Sequence, residues 1–248
     1  MFRRLLGVAA LIAVVAVPVS AQGVGYMQVD EIIARNFAAM GGIDKLKAVS
    51  SIRMTGKMLV GPGMEAPIVI ETKRPKSLRV DISIQGMTIV QAFDGTAGWM
   101  LNPMSGRSTA EALPSEMTKM VEEQADMDGP LMDYKAKGHT AELVGKETAE
   151  GTECYKIKLT EKDGDITWYY FDTETFLGVK QDAKRTLRGG EVETETIIGG
   201  WKDVAGVMYP HSIDAGQKGS PQRQKMTVEK IDVNVPIDDA RFKMPKAQ

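Results

Sequence analysis

The sequence has very few of the residues on which most metal and nucleophile sites depend. Its 248 residues include one cysteine, Cys154, and two histidines, His139 and His211. A single cysteine excludes an intramolecular disulfide, so the fold depends on its apolar core for stability. The histidines are far apart in the chain and have no cysteine or carboxylate at ligand spacing, which argues against a zinc site. The sequence therefore predicts no metal and no cofactor.

The short motifs of common catalytic sites are also absent. The sequence contains no G-x-S-x-G, no H-E-x-x-H and no P-loop. DMDGPLMDY lacks the alternating oxygen ligands and the late glutamate of a calcium loop. Alternation in CYKIKL places Cys154 on a polar face with Lys156 and Lys158, which favours a thiol without a chemical role over a reactive thiol. We therefore predict no catalytic residues and a protein that is not an enzyme.

An excess of positive charge is missing as well. The 31 basic and 33 acidic residues give a formal net charge of −2. Without Arg3 and Arg4, which lie in the predicted signal peptide, 29 basic residues remain (31 minus 2) and the charge is −4 (29 minus 33). No basic stripe is present, which argues against nucleic acid as a partner. Charge alone would not hold this chain on an anionic membrane.

The first residues have the pattern of a secretory signal peptide. Arg3 and Arg4 precede an apolar run, and Val19 and Ala21 stand where signal peptidase reads the chain. The alternative is a membrane anchor, but the apolar run at 5–17 is shorter than the roughly 20 residues that a spanning helix needs. We expect residues 1–21 to be removed. No composition shift marks a linker in 22–248, which is predicted to be a single domain.

Two segments have the apolar spacing of amphipathic helices. In VDEIIARNFAAMGG, Asp30 is the predicted N-cap and Gly41–Gly42 ends the helix. The other helix covers 115–125, and Asp128–Gly129–Pro130 is the predicted stop. IDKLKAV predicts a short helical turn between them. The apolar stripes consist of Ile32, Ile33, Phe37 and Met40; Leu46 and Val49; and Met117, Met120 and Val121.

The remaining chain alternates with a period of two, which is typical of antiparallel strands with one apolar face. A two-residue loop at Gln85–Gly86 pairs apolar residues with apolar residues along its strands. A similar loop at Asp163–Gly164 would pair Leu159 with Trp168 and Ile157 with Tyr170. The first loop predicts the pairs Ile84–Met87, Ile82–Ile89, Val80–Gln91 and Leu78–Phe93. We count nine to eleven strands, and the face on which Trp99 lies stays open.

Methionine is unusually abundant, with 16 residues in the chain. Many fall on predicted apolar faces, for example Met54, Met58 and Met87. A flexible thioether suits a surface that accepts guests of varied shape, but it also fills gaps in an ordinary core. Composition alone leaves both interpretations open. A curved sheet with only two helices to cover it favours a pocket for a small apolar ligand.

Several segments together resemble the LolA-like superfamily of outer-membrane lipoprotein carriers. The opening DEIIARNFAAMGGIDKLKAVSSIRMTGKM, the strand in ETKRPKSLRVDI, the hairpin in AFDGTAGWML and the closing PIDDARFKMP are similar to that family in order and spacing. RTLRGGEVETETIIGGW and AGVMYPHS look more like its "outer membrane lipoprotein-sorting protein" branch. The resemblance covers essentially all of 22–248.

The resemblance implies a mainly β fold with some α: a single curved antiparallel sheet of about eleven strands that forms an incomplete, half β-barrel closed by helices. It further implies a periplasmic location and an apolar cavity under the helices at 30–40 and 115–125. The residues that would contact lipid are Met54, Met58, Val80, Ile82, Ile84, Met87, Ile89, Phe93, Trp99, Met117, Met120, Val121, Ile157, Leu159, Trp168 and Tyr170.

Two functions follow from the resemblance. One is a monomeric carrier of lipid or lipoprotein acyl chains, which would receive cargo from an inner-membrane donor complex and pass it to an outer-membrane acceptor. The other is a sensor similar to RseB that binds lipid or lipoprotein and signals to a membrane partner. An enzyme acting on envelope lipids would need a nucleophile or a metal, and the sequence offers neither.

Overall fold

A computed structural model describes residues 27–106, 108–187 and 190–246. The predicted signal peptide lies outside these residues. The helices are α1 (Val29–Ala39), α2 (Ile43–Ala48) and α3 (Ser115–Ala125), and single 3-10 turns cover Pro103–Ser105 and Asp239–Arg241. No helix among the described residues is both long and apolar enough to cross a membrane.

Fifteen strands make up most of the described chain. They are β1 (Ser51–Gly61), β2 (Met64–Lys73), β3 (Ser77–Ile84), β4 (Met87–Phe93), β5 (Gly98–Leu101), β6 (Glu111–Ala112), β7 (Thr140–Ala149), β8 (Thr152–Thr160), β9 (Ile166–Asp172), β10 (Gly178–Leu187), β11 (Gly190–Gly199), β12 (Lys202–Val204), β13 (Val207–Tyr209), β14 (Ser212–Gln217) and β15 (Arg223–Val233).

Thirteen of these strands form one antiparallel sheet in the order β6-β5-β4-β3-β2-β1-β15-β14-β11-β10-β9-β8-β7, and β12 and β13 form a separate hairpin. The sheet is curved and does not close on itself, which confirms the predicted incomplete barrel. The prediction of nine to eleven strands is wrong. The reason is that β6, β12 and β13 are two or three residues long, too short for alternation to reveal them.

The hairpin at Gln85–Gly86 forms in the predicted register. Ile84 lies opposite Met87 and Leu78 lies opposite Phe93. Gln85 and Gly86 have φ angles of 51° and 80°. Two consecutive positive φ values are those of a type I′ turn, whose twist matches that of the flanking strands.

The hairpin between β8 and β9 differs from the prediction by one residue. Five residues, 161–165, separate the paired Thr160 and Ile166, so the connection is not a two-residue loop. The backbone N–H of Glu161 donates to the carbonyl of Asp165 at 2.8 Å inside this longer turn. Because side chains alternate, the one-residue shift moves Trp168 and Tyr170 to the face opposite Ile157 and Leu159. Trp168 lies opposite Lys158, and Tyr170 lies opposite Lys156.

Helices cover both ends of one face of the sheet, which we call the inner face. At one end, α1 packs its apolar stripe against β8 and β9. At the other end, Val121 and Ala125 of α3 pack against β3 and β4. Residues from α2 and the β12–β13 hairpin cover β15 between them. The buried residues of the α1 cluster are Ile32, Ile33, Phe37, Leu131, Met132, Tyr134, Ile157, Leu159, Tyr169 and Phe171.

Two details at the helix ends differ from the sequence-based expectation. Residue 28, not Asp30, is the N-cap of α1, and it makes no side-chain cap hydrogen bond. The Asp30 carboxylate instead accepts a hydrogen bond from the hydroxyl of Tyr134 at 2.6 Å. The end of α3 comes earlier than the predicted stop, since its C-cap is Asp126.

The outer face carries its own buried clusters. Trp99 lies there, 2% exposed, and its indole N–H donates to the carbonyl of Phe242 at 2.7 Å. Cys154 shares this face with Lys156, as predicted, but it is fully buried beside Tyr170. Burial raises the pKa of the Cys154 thiol, which keeps it protonated and unreactive.

Candidate binding cavity

A cavity of about 2170 Å³ lies on the inner face, between α3 and the strands in the middle of the sheet. Strands β9, β10, β11, β14 and β15 form its floor, β1 forms one side, and α3 with the segment that follows it forms the rim. It occupies the stretch of the inner face between the part packed by α1 and the part packed by α3.

An apolar row borders this cavity. Met58 of β1 lies opposite Met226 of β15, and Met226 lies opposite Ile213 of β14. Ile213 in turn lies opposite Ile198 of β11, so four strands contribute one apolar side chain each. All four side chains are half-buried, and Met58 reaches the cavity itself. Met226 also packs in the cluster formed with α2 and the β12–β13 hairpin, so the protein itself partly covers this row.

The floor beyond this row is lined by uncharged polar side chains in two further rows. The register places Tyr169, Gln181, Thr196, Ala215 and Gln224 side by side across five strands. The next row consists of Thr167, Ala183, Thr194 and Gln217. All nine residues line the cavity. The floor therefore combines hydroxyl and amide groups with few apolar side chains.

Ion pairs join α3 to both sides of the cavity mouth. Arg185 of β10 pairs with Glu123, and Lys119 Nζ lies 2.6 Å from a carboxylate oxygen of Asp163. On the opposite side, Lys76 Nζ lies 3.1 Å from a carboxylate oxygen of Glu122. These pairs are partly exposed, so each contributes about 1 kcal/mol or less to the stability of this arrangement.

The pKa values of three titratable groups at the floor and rim are shifted toward the uncharged form, whereas ion pairing shifts those of Lys119 and Asp163 toward the charged form. Burial, reinforced by the carboxylate of Glu123, raises the pKa of Glu161. Burial also raises the pKa of the Tyr169 hydroxyl above its usual range. Burial and the nearby Lys137 lower the pKa of His139, whose Nδ1 accepts a hydrogen bond from the backbone of Lys162 at 3.1 Å. Tyr169 and His139 are therefore uncharged at neutral pH.

The residues predicted to contact lipid are spread over the molecule. Met58 and Met120 line the cavity. Val80, Phe93 and Val121 belong to the packing between α3 and the sheet. Ile157 and Leu159 belong to the α1 cluster, and Met54 packs in the cluster around β15.

The others lie outside those clusters. Ile82, Ile84, Ile89 and Met117 are half-buried, and Met87 is 37% exposed at the tip of the β3–β4 hairpin. Trp99, Trp168 and Tyr170 lie on the outer face. The prediction that put Trp168 and Tyr170 on one face with Leu159 and Ile157 is wrong, because the loop between β8 and β9 is longer than two residues.

The spacing of apolar side chains does not reveal the polar floor. A usable signal was present in GEVETETIIGG, where Val192, Thr194 and Thr196 alternate with glutamates. An uncharged side facing a charged side at period two marks a strand with two different environments. Among the described residues, no group of three His, Cys, Asp or Glu side chains is placed to hold a metal ion.

The fold is shared with several solved structures at low sequence identity. A DUF1329 family protein from Desulfovibrio piger superposes with a TM-score of 0.60 and 13% identity, over 87% of this chain and 97% of that one. A LolA superfamily protein from Nitrosomonas europaea gives 0.57 and 12%, over 88% and 98%. A Vibrio parahaemolyticus domain, described provisionally as an outer membrane lipoprotein-sorting protein, gives 0.55 and 10%, over 86% and 94%.

Sequence comparison adds no closer relative. No family model matches the chain, and no curated protein matches it significantly. The structural likeness establishes a LolA-like fold.

Proposed function

We propose that this protein is a non-enzymatic periplasmic carrier that binds the acyl chains of a lipid or lipoprotein and transfers them toward the outer membrane. The observation that carries the proposal is the cavity of about 2170 Å³ on the inner face, whose apolar lining includes Met58 and Val60 of β1 and Met120 of α3. Pockets that are concave, partly apolar and preformed are the usual sites for small ligands.

Burial of an acyl chain would supply enough free energy for stable loading. At about 0.8 kcal/mol per buried methylene, ten methylenes contribute about 8 kcal/mol before the cost of ordering the chain is subtracted. Such a ligand would not leave quickly from a closed cavity. Transfer would therefore require the mouth to widen, which involves the weak ion pairs of Lys119 and Glu123 on α3.

Native mass spectrometry of protein purified from periplasm without detergent tests this proposal. We expect a co-purifying acyl species, identified after organic extraction. Met120→Asp, which places a charge at the cavity, should abolish loading, whereas Met104→Asp should not. Met104 is the matched control because it is 46% exposed and does not line the cavity. An apo mass, with no uptake of added phospholipid or acylated peptide, would contradict the proposal.

A second measurement separates a carrier from a sensor. Loaded protein is mixed with outer-membrane vesicles, and the ligand remaining on the protein is followed by extraction. A carrier releases its ligand to the acceptor membrane. Retention of the ligand, together with capture of the loaded protein by an inner-membrane partner, would instead favour the sensor.

A further inference from the structure

The inner-face floor carries a set of unused hydrogen-bonding groups. The side chains of Gln181, Thr194, Thr196, Gln217 and Gln224 make no hydrogen bond to any other residue in the described parts of the chain. All five line the cavity. A glutamine amide offers two donors and an acceptor, and a threonine hydroxyl offers one donor and accepts as well. This floor can therefore bind a partner that both donates and accepts.

The same strands have a very different outer face. There, Lys180 Nζ lies 2.6 Å from Glu195, and an Arg223 nitrogen lies 2.8 Å from the same carboxylate. Two charged side chains of the floor strands line the cavity, Arg185, which pairs with Glu123, and Arg223, which pairs with Glu195; the other charged lining residues belong to α3 and to the loops of the rim. A sheet surface open to water tolerates charge on either side. Exposure alone therefore does not explain why the two polar rows carry no charge while the outer face of the same strands does.

The position of this floor next to the apolar row defines a two-part site. Thr196 and Ile198 are two residues apart on β11, and the pairs Ala215–Ile213 and Gln224–Met226 repeat that spacing on β14 and β15. Residues two apart on a strand lie about 7 Å from each other on one face. Five strands at about 4.8 Å spacing give the polar rows a width of about 19 Å. Met58 and Val60 of β1 and Met120 of α3 line the cavity at the β1 end of these rows, so an acyl chain held there would place its headgroup over the polar rows.

We propose that the cavity binds acylated ligands whose headgroup is uncharged and carries amide or hydroxyl groups, in preference to fatty acids and anionic phospholipids. This inference rests on the proposed function, since it assumes that an acyl chain binds against the apolar lining of the cavity. Gln181, Thr194, Thr196, Gln217 and Gln224 bind the headgroup. The headgroup can be the peptide backbone of an acylated peptide or the sugar of a glycolipid, because both present neutral donors and acceptors.

The test compares four ligands with the same sixteen-carbon chain by isothermal titration of delipidated protein. Two have neutral headgroups, an N-palmitoyl dipeptide amide and a palmitoyl glucose ester; two are anionic, palmitic acid and palmitoyl lysophosphatidic acid. We expect the better of the neutral ligands to bind about tenfold more tightly than either anionic one, the effect of one or two added hydrogen bonds. The better of the two identifies the headgroup as peptide or sugar.

A double variant tests the named residues. Thr194→Val with Thr196→Val removes both hydroxyls with little change of volume and should weaken the neutral ligands about tenfold, leaving palmitic acid unchanged or tighter. The control is Thr186→Val, on the exposed outer side of β10. Equal affinity for all four ligands, or no effect of the double variant, would overturn the inference while leaving the carrier intact. Failure of every ligand to bind would contradict the proposed function itself.

Discussion

Two regions of the same inner face show what decides between core and cavity in this fold. At β8 and β9, Ile157 and Leu159 are fully buried under α1. In the middle of the sheet, Thr194 and Gln217 also lie on the inner face, but their side chains are exposed. The difference is the helix above them. Where the chain supplies its own cover the strand face is apolar, and where it supplies none the face is polar and hollow. Apolar alternation in this protein therefore indicates the covered ends of the sheet more than the ligand site.

Substitution by aspartate should separate the two regions most strongly. Ile157→Asp would bury an unpaired carboxylate in the α1 cluster, and we expect it to lower the free energy of unfolding by more than about 4 kcal/mol. Thr194→Asp places a carboxylate on the open floor and should change the free energy of unfolding by less than about 0.5 kcal/mol. Urea unfolding of both variants measures the contrast. Similar destabilisation by both would mean that the middle of the sheet is also core.

The contrast should recur within α3, which faces core on one side and cavity on the other. Val121→Ala removes two methyl groups that pack on Leu78 and Phe93, and the better helix propensity of alanine offsets part of that loss. We expect a loss of about 1 to 2 kcal/mol. Met120→Ala, at the cavity, should cost less than about 1 kcal/mol. A larger loss for Met120 than for Val121 in thermal or urea unfolding would reverse the orientation described for α3.

The ion pair between Arg185 of β10 and Glu123 of α3, which joins the cavity floor to the helix at its mouth, should contribute little to stability. A double-mutant cycle with Arg185→Gln and Glu123→Gln is expected to give a coupling of about 0.5 to 1 kcal/mol, because the side chains are 27% and 29% exposed. The control cycle uses Arg35 and Glu31, an exposed pair on α1, and should give about 0.3 to 0.5 kcal/mol. A coupling above about 2 kcal/mol would make this joint a strong closure of the mouth.

The smallest effect concerns pH at the cavity rim. Burial raises the pKa of Glu161 in the folded state, so its ionisation destabilises the fold as pH rises through that pKa. Glu161→Gln should therefore raise the urea midpoint at pH 7.5 relative to the wild type. The gain should vanish at pH values below the ordinary pKa of glutamate, where the wild-type carboxyl is protonated in both states. Glu174→Gln, at an exposed turn, should show no such gain, and an equal gain at pH 7.5 and pH 3.5 would contradict the assignment.

Much of the framework was predictable from local patterns. The helices near 30–40 and 115–125, the short turn around Leu46 and the register of the Gln85–Gly86 hairpin all follow from spacing and turn chemistry. The register at β8 and β9 was not predictable, because Asp163–Gly164 is the strongest turn signal in a loop that is longer than two residues. The resulting one-residue shift of register reversed the faces of Trp168 and Tyr170.

The sequence by itself determined the longer helices and strands and the alternation of charged and uncharged sides, because both depend on neighbours within a few residues. Only the tertiary structure decided which stretch of the inner face is hollow. Gln181 and Thr196 come from the consecutive strands β10 and β11, Gln224 comes from β15, and the strand order brings the three into one row. Whether that row packs against a helix depends on where α1 and α3 lie, which no local pattern records.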